Sequence, residues 1–191
     1  LQILSEAVRQ MSEGELLQTE KSRWLNLNEE VYYTIIRGKT ASLLASACAA
    51  GAFSASQNEE LTGKMRSFGE KTGMAFQIKD DLFDYGNEAV GKPTGNDIKE
   101  KKLTLPLIYT LNNVNTSVKR KIIYTIKNHN KDKEKIKEVI SIVQQTGGIE
   151  YAQKKMIAFR DEALAILNEF DNAEVKNALE EMVRFTTDRK L

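Results

Sequence analysis

The chain has 191 residues, enough to bury a substantial core in one domain. Its 28 Lys and Arg against 27 Asp and Glu leave a net charge of +1, so no global field draws it to nucleic acid or to an anionic membrane, and any anion binding has to be local. The single Cys48 excludes an internal disulfide and fits a reducing, cytoplasmic compartment; the single His129, in a polar run, argues against a histidine-activated nucleophile.

Leu1 opens directly into the periodic series Leu1, Leu4, Val8 and Met11 without a cap, so the chain is expected to start in or just before a helix of a longer protein. Residues 1 to about 22 read as an amphipathic helix with Gly14, Glu15 and Gln18 on consecutive turns. Trp24 to Leu27 connects, and Asn28 followed by Glu29 and Glu30 predicts a helix start. Val31 to about Ala55 reads as one long helix, with Tyr32, Ile36, Leu43 and Leu44 inward and Lys39 and Thr40 in its middle; Ser46, Ala47, Ala50 and Gly51 would admit a close neighbour. Its apolar half from Ala41 is broken by serines and short for a membrane span, so it is expected to be a buried helix in which Cys48 packs. Ser56 and Glu59 have the spacing of a capping box.

That cap introduces the most informative stretch, Phe68 to Asp84. In a helix Gln77, Asp80, Asp81 and Asp84 fall inside an arc of about 100°. Phe76 and Phe83 are placed opposite, flanked by Ala75 and Leu82, as if the acids faced a cavity. Like charges one turn apart repel by about 0.2 to 0.5 kcal/mol per pair, a cost that a divalent cation would reverse. Carboxylates with room for water suit magnesium, which binds through one or two carboxylates plus substrate phosphates. The residues alone leave two readings open: a metal site and a solvated acidic face.

A loop follows through Gly86 and Asn87 and the run Gly91 to Asp97. Lys92 lies within it, and Lys99, Lys101 and Lys102 follow, so its ammonium groups could grip a diphosphate bridged to the acids or simply be solvated. Thr104, Leu105 and Pro106 predict another helix start. Further helices are expected at about 116 to 127, 132 to 146, 149 to 168 and 172 to 187, with breaks at Gly147-Gly148 and Asp171-Asn172. With no strand or repeat legible, the fold class is all-α.

Four ordered motifs carry a family resemblance. Gly69-x3-Gly73-x-Ala75-Phe76-Gln77-Ile78-x-Asp80-Asp81-x2-Asp84 resembles the second aspartate-rich motif of trans-isoprenyl (polyprenyl) diphosphate synthases. Tyr32-x3-Ile36-x2-Lys39-Thr40-Ala41 resembles their lysine-threonine motif; Gly91 to Ile98 with Lys102-x-Thr104-Leu105-Pro106 resembles the loop that closes over diphosphate; and Gly14-Glu15-x2-Gln18 matches a further position. The family's first aspartate-rich motif, the arginine pair after it and the N-terminal Gly-Lys segment have no counterpart here. The resemblance therefore implies an isoprenoid-synthase helical bundle lacking its N-terminal helices, with residues 1–191 as a single domain that forms the C-terminal part of such an enzyme and by itself carries half a metal site.

The implied activity is a magnesium-dependent prenyltransferase that adds isopentenyl diphosphate to an allylic diphosphate. By resemblance Asp80, Asp81 and Asp84 are metal ligands, Asp80 and Asp84 being best placed on the arc to share an ion. Lys39, Lys92 and Lys102 bind diphosphate, Thr40 and Gln77 face the reacting carbons, and Phe76 borders the isopentenyl site. Gln18 is a weaker candidate for lining the reacting carbons and equally reads as a polar core residue satisfied by a neighbouring helix. The motif style resembles bacterial octaprenyl- and heptaprenyl-type synthases that supply quinone side chains, and family members are usually homodimers. Against this stand a short-chain farnesyl or geranylgeranyl diphosphate synthase, a terpene cyclase, a non-catalytic subunit of a heteromeric prenyltransferase and a ligand-free helical interaction protein.

Overall fold

The computed structural model describes residues 2–25, 28–86, 94–171 and 173–188, and every regular element among them is helical. Helix α1 spans Gln2–Trp24, and α2, Glu29–Ile36, runs through a π-helical turn, Arg37–Ala41, into α3, Ser42–Ser56. The long α4 spans Glu59–Phe83 and the single-turn α5 Asn96–Lys99; then come α6, Leu105–Asn113, α7, Thr116–Asn128, α8, Lys133–Gln145, α9, Gly148–Leu167, and α10, Ala173–Asp188. Among the described residues no helix is long and apolar enough to cross a membrane.

Local chemistry sets most of these boundaries. Asn28 accepts the Val31 N–H at 2.8 Å, as its sequence position predicts. Asn115 does the same for Val118, and Asp132 for Glu134 and Lys135. Pro106 occupies the first turn of α6, where its missing N–H costs nothing. The break at Gly147 is a left-handed residue, φ 82°. The expected capping box does not form. Ser56 is the last residue of α3, and its hydroxyl donates back to the Ala52 carbonyl at 2.8 Å; Asn58 instead accepts the Leu61 N–H at 3.0 Å. A serine with an i−4 carbonyl in reach satisfies itself locally.

The chain divides into two compact units. The first comprises Leu1–Leu17, Tyr33–Lys79 and Lys155–Lys190. Phe68, Ala163, Leu167 and Val183 form a buried cluster in it, with Cys48 and Met65 packed against them. Burial pushes the Cys48 thiol pKa up, in keeping with a packing role. The predicted uninterrupted helix from Val31 to Ala55 is instead interrupted by the π turn, where the Ser42 N–H bonds to the Arg37 carbonyl. One extra residue per turn shifts the phase of everything after it. Leu43 is consequently 44% exposed and the buried face of α3 consists of Ser42, Ala45, Ser46 and Ala49. Ala47, Ala50 and Gly51 point outward, and α3 is buried only over its first half. The close helix approach is made by other residues: a Cβ on Gly69 would lie 2.5 Å from the Leu44 carbonyl oxygen, and one on Gly73 2.6 Å from Ala41 Cα.

The second unit comprises Gln18–Tyr32 and Asp80–Lys154. Ile98, Leu105, Leu107, Ile108, Ile122, Ile126 and Val143 are essentially inaccessible in it. Tyr109 stacks on Tyr151 with ring centroids 4.3 Å apart, and the Tyr151 hydroxyl reaches both Glu29 carboxylate oxygens, at 2.7 and 2.8 Å. Gly95, at φ 76°, leaves Ile136 the room that a Cβ would take. Helix α4 contributes residues 59–79 to the first unit and hands over at Asp80.

Two consequences are measurable. A Cβ on Gly63 would meet nothing within 4 Å, whereas one on Gly69 abuts backbone. In urea unfolding, Gly63→Ala should stabilise by about 0.5–1 kcal/mol, whereas Gly69→Ala should destabilise by about 1–3 kcal/mol. Burial and then the Glu29 carboxylate raise the Tyr151 pKa to about 12. A raised folded-state pKa gives stability that is intact below the unfolded phenol value of about 10 and lost as pH rises toward 12. Tyr151→Phe should remove that stretch of pH dependence.

Candidate functional site

The three aspartates do not share one environment. Helix α4 buries Met74, Ala75, Ile78 and Leu82, all at most 2% exposed, while Phe76 and Phe83 are only half-buried. The core face is thus rotated from the Phe76–Phe83 face expected from the sequence. Asp81, beside Leu82 in sequence, turns inward and is 7% exposed; Asp80 remains exposed. A buried carboxylate is costly unless hydrogen-bonded. Asp81 meets that condition through the buried Tyr32 hydroxyl, which donates to its Oδ2 at 2.7 Å.

Helix α4 ends at Phe83, so Asp84 lies in the following turn rather than on the helical arc that was expected to carry it. Its two carboxylate oxygens accept the Asn96 N–H at 2.7 Å and the Asp97 N–H at 3.0 Å, while its carbonyl accepts the Gly95 N–H. Asp84 thereby fixes the start of α5. Burial pushes its pKa up, opposed by those two amides and by Lys99 and Lys102. Asp97 is raised to about 6, first by burial and then by Asp84. Lys102 bonds to Glu100 at 2.5 Å and lies 3.6 Å from Asp97; burial alone would lower its ammonium pKa, but these carboxylates outweigh it and the net shift is upward. Lys92 lies outside the described residues.

Two participants carried no assigned role in the sequence reading. Tyr32 was expected inward, and a buried phenol needs a polar partner, which was the available signal. Asp97 stands in the loop motif, but its proximity to Asp84 arises only when the chain turns back at Gly95, which local spacing does not encode.

In the first unit the π turn carries Lys39 and Thr40. The Thr40 hydroxyl donates to Gln77 Oε1 at 2.7 Å, so the structure brings together the two residues expected to face reacting carbons. The absence of a side chain at Gly73, against Ala41, permits that approach. Lys39 forms an ion pair with Glu15 at 2.7 Å, and a Cβ on Gly14 would lie 2.6 Å from the Lys39 nitrogen, so the Gly14-Glu15 pair serves the lysine through both its missing side chain and its charge. A cleft of about 440 Å³ opens beside Gly14 and Gly38. Gln18 is half-buried on α1.

Among the described residues no group of three or more His, Cys, Asp or Glu side chains converges as a protein-built metal cage would. The donor chemistry nevertheless fits a hard divalent ion. Asp80, Asp81 and Asp84 offer only oxygen, and an ionised carboxylate has about four acceptor sites, so Asp84 retains capacity after its two amide bonds. Magnesium characteristically takes one or two such groups and completes its shell with water and phosphate oxygens.

The Polyprenyl synthetase family model matches residues 1–143. The chain is 35% identical over 155 residues to a short chain isoprenyl diphosphate synthase of Methanocaldococcus jannaschii, covering 80% of this chain and 46% of that protein. It is 30% identical over 181 residues to the octaprenyl diphosphate synthase of Escherichia coli, covering 94% and 56% respectively. Its structure is similar to that of a polyprenyl synthase from Caulobacter crescentus complexed with calcium and isoprenyl diphosphate, with TM-score 0.91 and 33% identity over all of this chain and 59% of that one. The chain spans about half the length of the relatives it matches.

The Asp84 clasp is testable without any ligand. Asp84→Ala should remove hydrogen-exchange protection at the Asn96 and Asp97 amides by about tenfold or more, while leaving amides in the middle of α4 unchanged. Unaltered protection at 96 and 97 would show that the clasp does not form.

Proposed function

The chain belongs to the polyprenyl synthetase family, and from that premise we propose that it acts as a magnesium-dependent trans-prenyltransferase joining isopentenyl diphosphate to an allylic diphosphate. The product would be a medium- or long-chain trans-polyprenyl diphosphate for quinone side chains. The observation that carries the reading is that α4 bears both Gln77, bonded to Thr40, and, one turn further on, Asp80 and Asp81. An amide held by a threonine hydroxyl and an acidic pair on the same helix suit a reaction that needs cation stabilisation and diphosphate binding.

In this reading Asp80, Asp81 and Asp84 hold the ion, and the Tyr32 hydroxyl keeps the Asp81 carboxylate in one orientation. Bound magnesium would neutralise diphosphate charge and make it a better leaving group. Lys39, Lys92 and Lys102 each supply an ammonium group for diphosphate, Lys39 exchanging its Glu15 partner for phosphate. The allylic C–O bond breaks with its electron pair leaving on diphosphate. The Thr40 and Gln77 oxygen dipoles stabilise the allylic cation, Phe76 borders isopentenyl diphosphate, and its double bond supplies the electrons of the new C–C bond. The proton lost afterwards goes to the departing diphosphate, so no side-chain base is required.

The same reading makes residues 1–191 a single helical domain that corresponds to part of such an enzyme, and that enzyme a cytoplasmic homodimer. Support for the dimer comes from Leu4 and Val8, one turn apart on α1 and more than half exposed. Support for the compartment comes from the unpaired Cys48.

The test is incubation of the chain, and of any longer form containing it, with farnesyl diphosphate, labelled isopentenyl diphosphate and magnesium. A ladder of labelled products ending at one chain length is expected. Asp81→Ala should lower turnover by about a hundredfold or more, with the circular dichroism spectrum retained. Near-normal turnover would remove Asp81 from the metal site, and diphosphate release without incorporated label would replace condensation by cyclisation.

A further inference from the structure

The near-neutral net charge of the chain conceals a strongly basic region. Residues 116–145, which hold α7, α8 and the loop joining them, contain eight of the chain's 28 Lys and Arg but only three of its 27 Asp and Glu. Within that hairpin the cations are not evenly spread. On α7, Lys127, Arg120 and Tyr124 fall inside an arc of about 60°, on the side opposite the buried Ile122 and Ile126. All three are exposed, Tyr124 by 59%. The chain then continues through exposed Lys131 to Lys133 at the start of α8. Lys101 joins them from the loop before α6, its ammonium donating to the Lys127 carbonyl at 3.2 Å.

The local acids do not cancel this charge. Asp132 is engaged in capping α8. Glu138 pairs with Lys121, and Glu134 lies 3.6 Å from Lys137. Among the described residues Arg120, Lys127, Lys131 and Lys133 have no carboxylate partner. An exposed amphipathic aromatic ring, set among such cations with the His129 ring 5.4 Å away, matches the chemistry of a bilayer interface, where phenol rings sit at headgroup depth.

We propose that the outer face of the α7–α8 hairpin, centred on Tyr124 and flanked by Lys101, Arg120, Lys127, Lys131 and Lys133, is a docking surface for an anionic lipid bilayer. Nucleic acid is the competing polyanion, but only one of the five flanking cations is Arg. Bidentate phosphate and base recognition favours guanidinium, whereas lysine point charges suit the diffuse negative potential of a fluid lipid surface. The proposal is independent of the reaction proposed above, because none of these residues was assigned to it.

The test is co-sedimentation of the protein with vesicles of phosphatidylcholine alone and of phosphatidylcholine mixed with phosphatidylglycerol. Binding should require phosphatidylglycerol and weaken by about tenfold between low and high salt. The triple variant K127Q/K131Q/K133Q, with its helical circular dichroism intact, should bind anionic vesicles about tenfold more weakly or worse; Y124A should lose a smaller factor at every salt concentration. Equal binding to both vesicle types, or a triple variant that binds as well as the parent, would overturn the proposal. Tighter retention on duplex DNA or single-stranded RNA than on vesicles at matched phosphate concentration would also overturn it and make the hairpin a nucleic-acid surface.

Discussion

In the first unit one constraint governs the rest: α4 approaches α3 and the π turn with backbone against backbone. At Gly69 and Gly73, one turn apart, there is no space for a methyl group. Such an approach is available only to glycine, and it sets the depth at which the following residues of α4 within this unit meet their surroundings. Because Gly73 rests on Ala41, Gln77 one turn on comes within hydrogen-bonding distance of Thr40, the residue just before Ala41. The polar pair is thus a by-product of close packing that was already required.

The second unit solves a different problem, that of placing carboxylates at the end of a helix whose inner face is apolar. Burying such groups without partners would cost several kcal/mol each. Two devices prevent that: a phenol on α2 donates to Asp81, and the returning chain donates two amides to Asp84. Both hold an oxygen in place before any ligand arrives. Burial pushes both the Asp84 and the Asp97 carboxyl up, and the Asp84 charge adds to the rise at Asp97, which records the strain that remains.

The helices were legible because their signals are local: apolar spacing, the Asn28 cap, Pro106 and the glycine pair at 147–148. The pairing of Thr40 with Gln77 was legible only through a resemblance between motifs, since neither residue's spacing specifies the other. What was misread depends on features that sequence periodicity cannot carry. The inward assignment of Leu43 assumed an unbroken α-helix, and the π turn falsifies its phase. The shared arc of Asp80, Asp81 and Asp84 assumed a helix one residue longer than the one that forms. Asp97 and Tyr32 gain their roles from chain segments that are distant in sequence from their partners.

The π turn at Arg37–Ala41 also has a consequence for how this chain can change. It stores one residue more than an α-helix of the same rise would hold, so its sequence has a local surplus. Removing one residue there would let regular helical bonding resume, a gain in backbone regularity. It would also turn all of α3 by about 100° relative to α2, exchanging buried Ala45 and Ala49 for their outward neighbours and separating Thr40 from Gln77. A deletion in this segment is therefore transmitted along the whole of the following helix, and the register of residues 37–41 is restrained in addition to the identity of Gly38 and Ala41, which have no room to grow.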